Sequence, residues 1–262
     1  QFFLDDVTDS VGQVFLGHAL QCARCHDHKF DPIPTRDYYS MQAVFANTQF
    51  AEVDAAFQPG ENKDGFGIHK KYHQLRNNEN KRMLGDLPKE RVTPNDFGRE
   101  RLGRKWSKLF SWGLDRYRPI AFTVYNGKTR FQKNVATRQQ KPASDLGTKT
   151  TPEKTAILTG GDLFSPADPV EPGALSVVGL KTDIPKEVNG RRTALAKWIT
   201  HKDNPLTARV MVNRVWQYHF GRGLAGNPNN FGATVKKPTH PALLDWLASE
   251  FMARGWSVKE LH

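Results

Sequence analysis

Apolar positions recur at helical spacing in several stretches of the chain and alternate clearly in one. In "TDSVGQVFLGHALQ" (8–21), Val11, Val14, Phe15, His18 and Ala19 fall on one helical face, with Thr8 or Ser10 suited to cap the start. A helix is therefore expected to lead into residue 22. "DPIPTRDYYSMQAVFANTQF" (31–50) reads as a proline-pinned turn followed by a helix with Thr35 as N-cap, burying Tyr38, Tyr39, Met41 and Phe45. Near the other end, "RRTALAKWIT" (191–200) is a short helix, and "DNPLTARVMVNRVWQYHFG" (203–221) places Asn204 as N-cap, Pro205 at N1 and Gly221 as terminator. "THPALLDWLASEFMARG" (239–255) repeats that grammar around Pro241 and Gly255, with Leu243, Leu244, Leu247 and Phe251 inward.

Between these regions the period changes. In "RPIAFTVYNG" (118–127) Ile120, Phe122 and Val124 alternate before an Asn126-Gly127 turn, and "NVATRQQ" (134–140) and "KTAILTGGD" (154–162) add two further expected strands. "SPADPVEPGALSVVG" (165–179) reads as a Pro/Gly loop of fixed shape. Residues 60–117 are polar and weakly periodic; part reads as a solvated helix, and loop is expected over much of the rest. The organisation read from this is a helical region over 1–60, a polar connection over 61–117, a β-rich insert with its Pro/Gly loop over 118–185, and a helical domain over 186–262. The fold class is α+β, mainly helical at both ends with a small β-rich insert between.

The chain has 262 residues, 38% of them hydrophobic, enough for a substantial core. No apolar run approaches the twenty residues of a membrane span. It opens on Gln1 without a leader pattern and closes on "WSVKELH", which looks like a helix beginning, so the natural chain is expected to extend further. The net charge of +11 is uneven. Asp5, Asp6, Asp9, Asp27, Asp31, Asp37, Glu52 and Asp54 outnumber Arg24, Lys29 and Arg36 in the first sixty residues, and the excess sits in "HKKYHQLRNNENKRMLGDLPKERV" (69–92) and "GRERLGRKWSKLF" (98–110). No zinc finger, glycine-rich phosphate loop or RNA-recognition signature accompanies it, so a solvated basic face or an acidic partner is expected and nucleic acid is not.

Chemistry concentrates in "QCARCHDHKFDP" (21–32), which holds both cysteines. C-x-x-C-H is the attachment motif of a c-type haem, Cys22 and Cys25 taking the two thioether bonds and His26 standing as proximal iron ligand. The pattern leaves rivals open. A buried or disulfide-linked pair with an incidental histidine is one. Zinc is another, but Cys22, Cys25, His26 and His28 are crowded into seven residues, so a tetrahedral site would have to recruit His69, His73, His219 or an acid. A redox dithiol is disfavoured, because it belongs at a helix N-terminus and here a helix is expected to precede the pair. Met41, Met83, His18, His28, His69 and His73 are the candidate sixth ligands. Asp27, His28 and Asp31 form a second cluster, read either as groups that hydrogen-bond the turn or as an outer-shell or calcium-type ion site. In "VNRVWQYHFGRGL" (212–224), Asn213, Arg214, Gln217 and His219 read as a polar helix face tying the helical unit to the β-rich insert.

At these residues a resemblance appears. "DSVGQVFLGHALQCARCHDHKFDPIPTRDYYSMQAVFANT" resembles the end of the first conserved domain of the large exported planctomycete cytochrome-c-domain proteins. "GRRTALAKWITHKDNPLTARVMVNRVWQYHFGRGL", together with the rest of the chain to residue 262, looks like their second conserved domain, and "GGDLFSPADPVEPGALS" is similar to the loop leading into it. The resemblance implies export to the periplasm or cell exterior, matches Cys22, Cys25 and His26 to a cytochrome-like motif, and transfers no catalytic residues. In complete members a separate cytochrome c domain often precedes this region. The leading expectation is an exported protein with haem c at Cys22, Cys25 and His26, working in electron transfer or redox catalysis with an unidentified redox partner or as part of a larger exported assembly. The alternative is an extracellular glycan-acting or glycan-binding protein, its six tryptophans suited to sugar stacking and its cysteine motif holding zinc or calcium or forming a disulfide.

Overall fold

The computed structural model describes residues 2–90, 93–127, 151–234 and 236–262. Helix makes up 51% of it and strand 9%, with helices towards both ends and small sheets between, which is the α+β class expected. The strand expected at 134–140 lies outside the described residues. The described residues divide into two compact units, one made of residues 2–49, 125–127 and 151–262, the other of 50–124.

The first unit opens with α1 (Phe2–Val11), which starts earlier and stops sooner than the pattern predicts. Thr8 lies inside it and donates its hydroxyl to Leu4 O (2.8 Å) instead of capping. A single π-helical turn over Gly12–Leu16 follows, and Gly17 at φ +63° ends the helical path. The cysteines are therefore delivered by a separate 3-10 turn, Leu20–Arg24, and not by a helix running into them. Two glycines explain the break. Leu20 occupies the space a side chain at Gly12 would need, and the left-handed backbone at Gly17 disfavours residues with a Cβ. Next comes α2 (Thr35–Phe45), which begins where expected, although Pro34 holds the N-cap position and Thr35 is the first helical residue. Tyr38, Tyr39, Met41 and Phe45 are buried, as predicted.

Strand β1 (Thr48–Asp54) was not legible as a strand, and it pairs with β2 (Ile120–Asn126). The second unit also holds α3 (Phe66–Gly85) and α4 (Pro94–Asp115), so helix covers far more of this stretch than the part expected as a solvated helix. A capping box explains the start of α4: Asp96 N–H donates to Thr93 Oγ1 and Thr93 N–H donates to the Asp96 carboxylate, both at 3.2 Å. The two helices meet through polar and small residues. Asn80 donates to Gly103 O (2.9 Å) and Ser107 Oγ (2.7 Å), and Leu84 lies where a side chain at Gly103 would stand. An interface of that composition carries no apolar periodicity, which is why these helices escape a pattern search.

Returning to the first unit, β3 (Thr155–Leu158) pairs antiparallel with β4 (Pro166–Val170), Thr155 opposite Val170. Part of the expected Pro/Gly loop is thus a short strand, its prolines tolerated because this is a two-stranded edge. The C-terminal helices are α5 (Arg191–Ile199), α6 (Thr207–Phe220), α7 (Pro241–Ala253) and the short α8 (Val258–Leu261). Gly221, at φ +78°, terminates α6 as predicted, but Leu206 holds the N-cap position expected for Asn204 and Pro205 stays outside the helix; Asn204, three residues ahead of Thr207, accepts from Leu206 N–H (3.0 Å). One core cluster joins α2, β3, β4 and α5 through Tyr38, Met41, Leu158, Val170, Leu195 and Trp198. A second joins α6 and α7 through Val212, Leu244 and Phe251.

Asn213 locks the turn after α6. It is fully buried, accepts from Ala225 N–H (2.8 Å) and donates to Ala225 O (3.0 Å), replacing the pairing that a strand partner would give. Asn213→Ala leaves both backbone groups unsatisfied and is expected to cost about 2–4 kcal/mol in guanidinium unfolding. A change under about 0.5 kcal/mol would show that water replaces the amide.

Candidate functional site around the cysteine motif

The motif sits on the surface with a buried polar network beneath it. Leu20 and Ala23 point into the core and fix the turn, so Cys22, Cys25 and His26 are left facing outward. Both cysteines are free thiols, which corrects the buried or disulfide-linked alternative. Arg24 anchors the turn from the side: its guanidinium donates to Gly161 O (3.2 Å) and lies 3.5 Å from Asp5, and its carbonyl accepts from Tyr39 OH (2.9 Å). Asp5 in turn accepts from Tyr38 OH (3.0 Å) and Gln42 Nε2 (2.8 Å). Burial, reinforced by the Asp5 charge, pushes the Tyr38 phenol far above its usual range, and burial raises Tyr39 as well. Both remain protonated donors at any physiological pH.

Cys25 Sγ packs against the backbone of the turn after β3. A Cβ built on Gly161, which has φ +78°, would stand 2.6 Å from that sulfur. The turn is pinned by Asp162, which accepts from Phe164 N–H (3.1 Å) and Ser165 Oγ (2.7 Å), and these bonds hold its carboxyl below the usual range, the Ser165 hydroxyl contributing most.

His26 is exposed, and its Nδ1 lies 2.7 Å from Asp27 O. A carbonyl only accepts, so Nδ1 is the donor here, which in the neutral ring leaves Nε2 as the nitrogen able to ligate a metal. The neighbouring cluster is committed to backbone. Asp27 accepts from Thr35 N–H (2.8 Å) at the start of α2, and Asp31 accepts from Ala233 N–H (2.6 Å) with Gly232 packed on its carboxylate. His28 Nδ1 accepts from Asp31 N–H (3.0 Å) and Phe30 N–H (3.4 Å), so it faces the Asp31 carboxylate as one acceptor faces another. Among the described residues no three His, Cys, Asp or Glu side chains are grouped to hold a metal ion.

The other sequence candidates are scattered. Met41 is in the core, His18 lines a cavity of about 310 Å³ with Asp31, Leu206 and Phe231, and His69, His73 and Met83 belong to the second unit. His219 meets His262 at 2.5 Å. Phe15, placed on the apolar face of the expected helix, is 37% exposed. On α6, Arg214 reaches not the β-rich insert but the π-helical turn, donating to Val14 O (2.5 Å) and Gln13 O (2.6 Å). The supports that sequence reading missed are Asp5, Arg24, Tyr39 and Gly161. Only the paired glycines at 160–161 offered a local signal, and nothing in the spacing connected them to residue 25.

Comparison with known proteins agrees with the arrangement of this unit. Residues 2–50 match the family model PSCyt2, a protein of unknown function (DUF1549), and residues 191–262 match PSD1, a protein of unknown function (DUF1553). The chain carries both regions. These names are known from planctomycete cytochrome-c-domain proteins, as the resemblance implied. No curated protein and no solved structure matches the chain. The PSCyt2 region supplies the whole of C-x-x-C-H, and the PSD1 region supplies Arg214 and Ala233, which hold the flanking turns.

Gly161→Ala tests the contact between the β3 turn and the motif. The added methyl displaces the Cys25 thiol at a backbone angle that already disfavours it, so a loss of about 1–2 kcal/mol is expected. Alkylation of Cys25 should quicken relative to Cys22 when each is followed by mass spectrometry. An unchanged ratio would mean that the glycine does not shield the sulfur.

Proposed function

We propose that the protein is an exported c-type cytochrome-like protein in which Cys22 and Cys25 attach haem c and His26 Nε2 serves as proximal ligand, acting in electron transfer or redox catalysis. The observation that carries this reading is the donor set: two accessible, unbridged thiols beside an imidazole whose Nδ1 is already occupied by a carbonyl. Those residues fit the group in chemistry and in accessibility. Bound haem would supply a one-electron iron couple. The chain's own part is to hold the attachment turn rigid through Arg24, Asp5 and Tyr39, and to orient His26 through Asp27 O. Asp27 and Asp31 brace the two ends of the loop, which leaves His26 as the side chain that would ligate the iron. An extracytoplasmic setting belongs to the same proposal, since bacterial haem attachment takes place outside the cytoplasm, and so does a redox partner among exported proteins.

Protein purified from its native source is expected to show a Soret band and a haem stain that survives denaturation. Cys22→Ser/Cys25→Ser should abolish the covalent stain, whereas His26→Ala should keep the stain and change the spectrum. Absence of haem from native material, with zinc or calcium found by elemental analysis, would overturn the reading in favour of a metal-binding extracellular protein.

A further inference from the structure

The helical hairpin of the second unit presents an unusual surface. On α3, Ile68, Tyr72 and Leu75 recur at i, i+4 and i+7, and all three are more than half exposed. On α4, Leu102, Trp106, Leu109 and Trp112 follow the same kind of spacing, and Trp106 and Trp112 are 46% and 55% exposed. The helices use Asn77, Asn80, Gly103 and Ser107 at or near their mutual contact, so their apolar stripes are not consumed by packing on each other. Apolar exposure on this scale marks an interaction surface.

Charge identifies what it meets. The two helices carry Lys70, Lys71, Arg76, Lys81, Arg82, Arg99, Arg101, Arg104, Lys105 and Lys108 against Glu79, Asp96, Glu100 and Asp115. Arg76 and Arg104 pair with glutamates of their own helices, while the other eight cations make no ion pair with a described residue. Lys108 lies 4.9 Å from the centre of the Trp112 ring, a cation beside the aromatic stripe. A second copy of so basic a face would repel it. Nucleic acid would match the charge and the tryptophans but has no use for exposed Ile68, Leu75, Leu102 and Leu109. Exposed leucine and tryptophan interleaved with lysine and arginine along both helices suit a lipid interface, where the apolar groups enter the headgroup boundary and the long basic side chains reach phosphate. No described helix is long and apolar enough to cross a membrane, so the contact is with the surface.

We infer that the α3–α4 hairpin docks on an anionic lipid bilayer, its leucines and tryptophans entering the headgroup boundary while its lysines and arginines meet lipid phosphates. The basic runs at 69–92 and 98–110 thereby acquire a role separate from the cysteine motif.

Co-sedimentation with vesicles tests it. The chain is expected to bind vesicles of phosphatidylcholine containing about one-third phosphatidylglycerol and to ignore pure phosphatidylcholine, with binding weakened as salt rises above about 0.15 M. Trp106→Ser/Trp112→Ser should lower the partition coefficient roughly tenfold or more, and Lys105→Glu/Lys108→Glu should do so comparably. Circular dichroism of each variant establishes that the helices persist. Failure to bind anionic vesicles, binding indifferent to both variants, tighter retention by duplex DNA than by vesicles, or a wild-type dimer that Trp106→Ser/Trp112→Ser dissociates would each overturn the inference.

Discussion

The interaction on which the first unit depends is the grip of Arg214 on the carbonyls that α1 leaves open. A helix end exposes carbonyls without partners, and here the end is widened by a π-helical turn and cut off by left-handed Gly17. Arg214 donates to Gln13 O and Val14 O and also reaches Asn229, so one guanidinium satisfies that end and ties the PSCyt2 region to the PSD1 region. Charged hydrogen bonds of this kind are worth about 1.5–3 kcal/mol each, and they come with the Phe231 N–H to Gly17 O bond (2.8 Å) and the Asp31 to Ala233 bond on either side. Together these contacts fix where the chain turns before residue 20, and hence where the cysteines emerge.

Beneath the motif the logic is different. Asp5, Arg24, Tyr38, Tyr39 and Gln42 bring five polar side chains together under an exposed loop, a placement tolerated because most of their polar groups find partners within the network, although the buried Arg24 Nε has no hydrogen-bond partner among the described residues. Such a network rigidifies a turn that has only Leu20 and Ala23 to bury. It also explains why Cys22, Cys25 and His26 face solvent: the inward positions of the 3-10 turn are already occupied, and the outward ones are what remains. The β3–β4 hairpin completes the setting by laying Gly161 against Cys25.

The second unit spends its side chains the other way round. Its two helices join through Asn80, Gly103 and Ser107 with Leu84 packed at Gly103, while Ile68, Leu75, Leu102, Leu109, Trp106 and Trp112 stay exposed. In the first unit apolar residues build the core and polar ones brace the loops. In the second, polar residues build the join and apolar ones form the face.

By itself the sequence determined the helical ends of the fold, because α2, α5, α6 and α7 bury one stripe each and carry local start and stop signals in Pro34, Pro241 and Gly221. It also determined the motif, since C-x-x-C-H is a matter of spacing along the chain. Loss of local pattern hid the rest. The α3–α4 hairpin packs through Asn80 and Gly103, which no hydrophobic period reveals, and α1 stops at glycines whose effect depends on Leu20 and on a left-handed turn. Tertiary structure alone decided that Arg214 reaches the carbonyls of residues 13 and 14, that Asp31 serves Ala233, and that Gly161 stands behind Cys25. Each of those pairs is separated by well over a hundred residues, and hydrogen bonds and van der Waals contacts act only at a few ångströms. The fold had to bring them together before their chemistry existed.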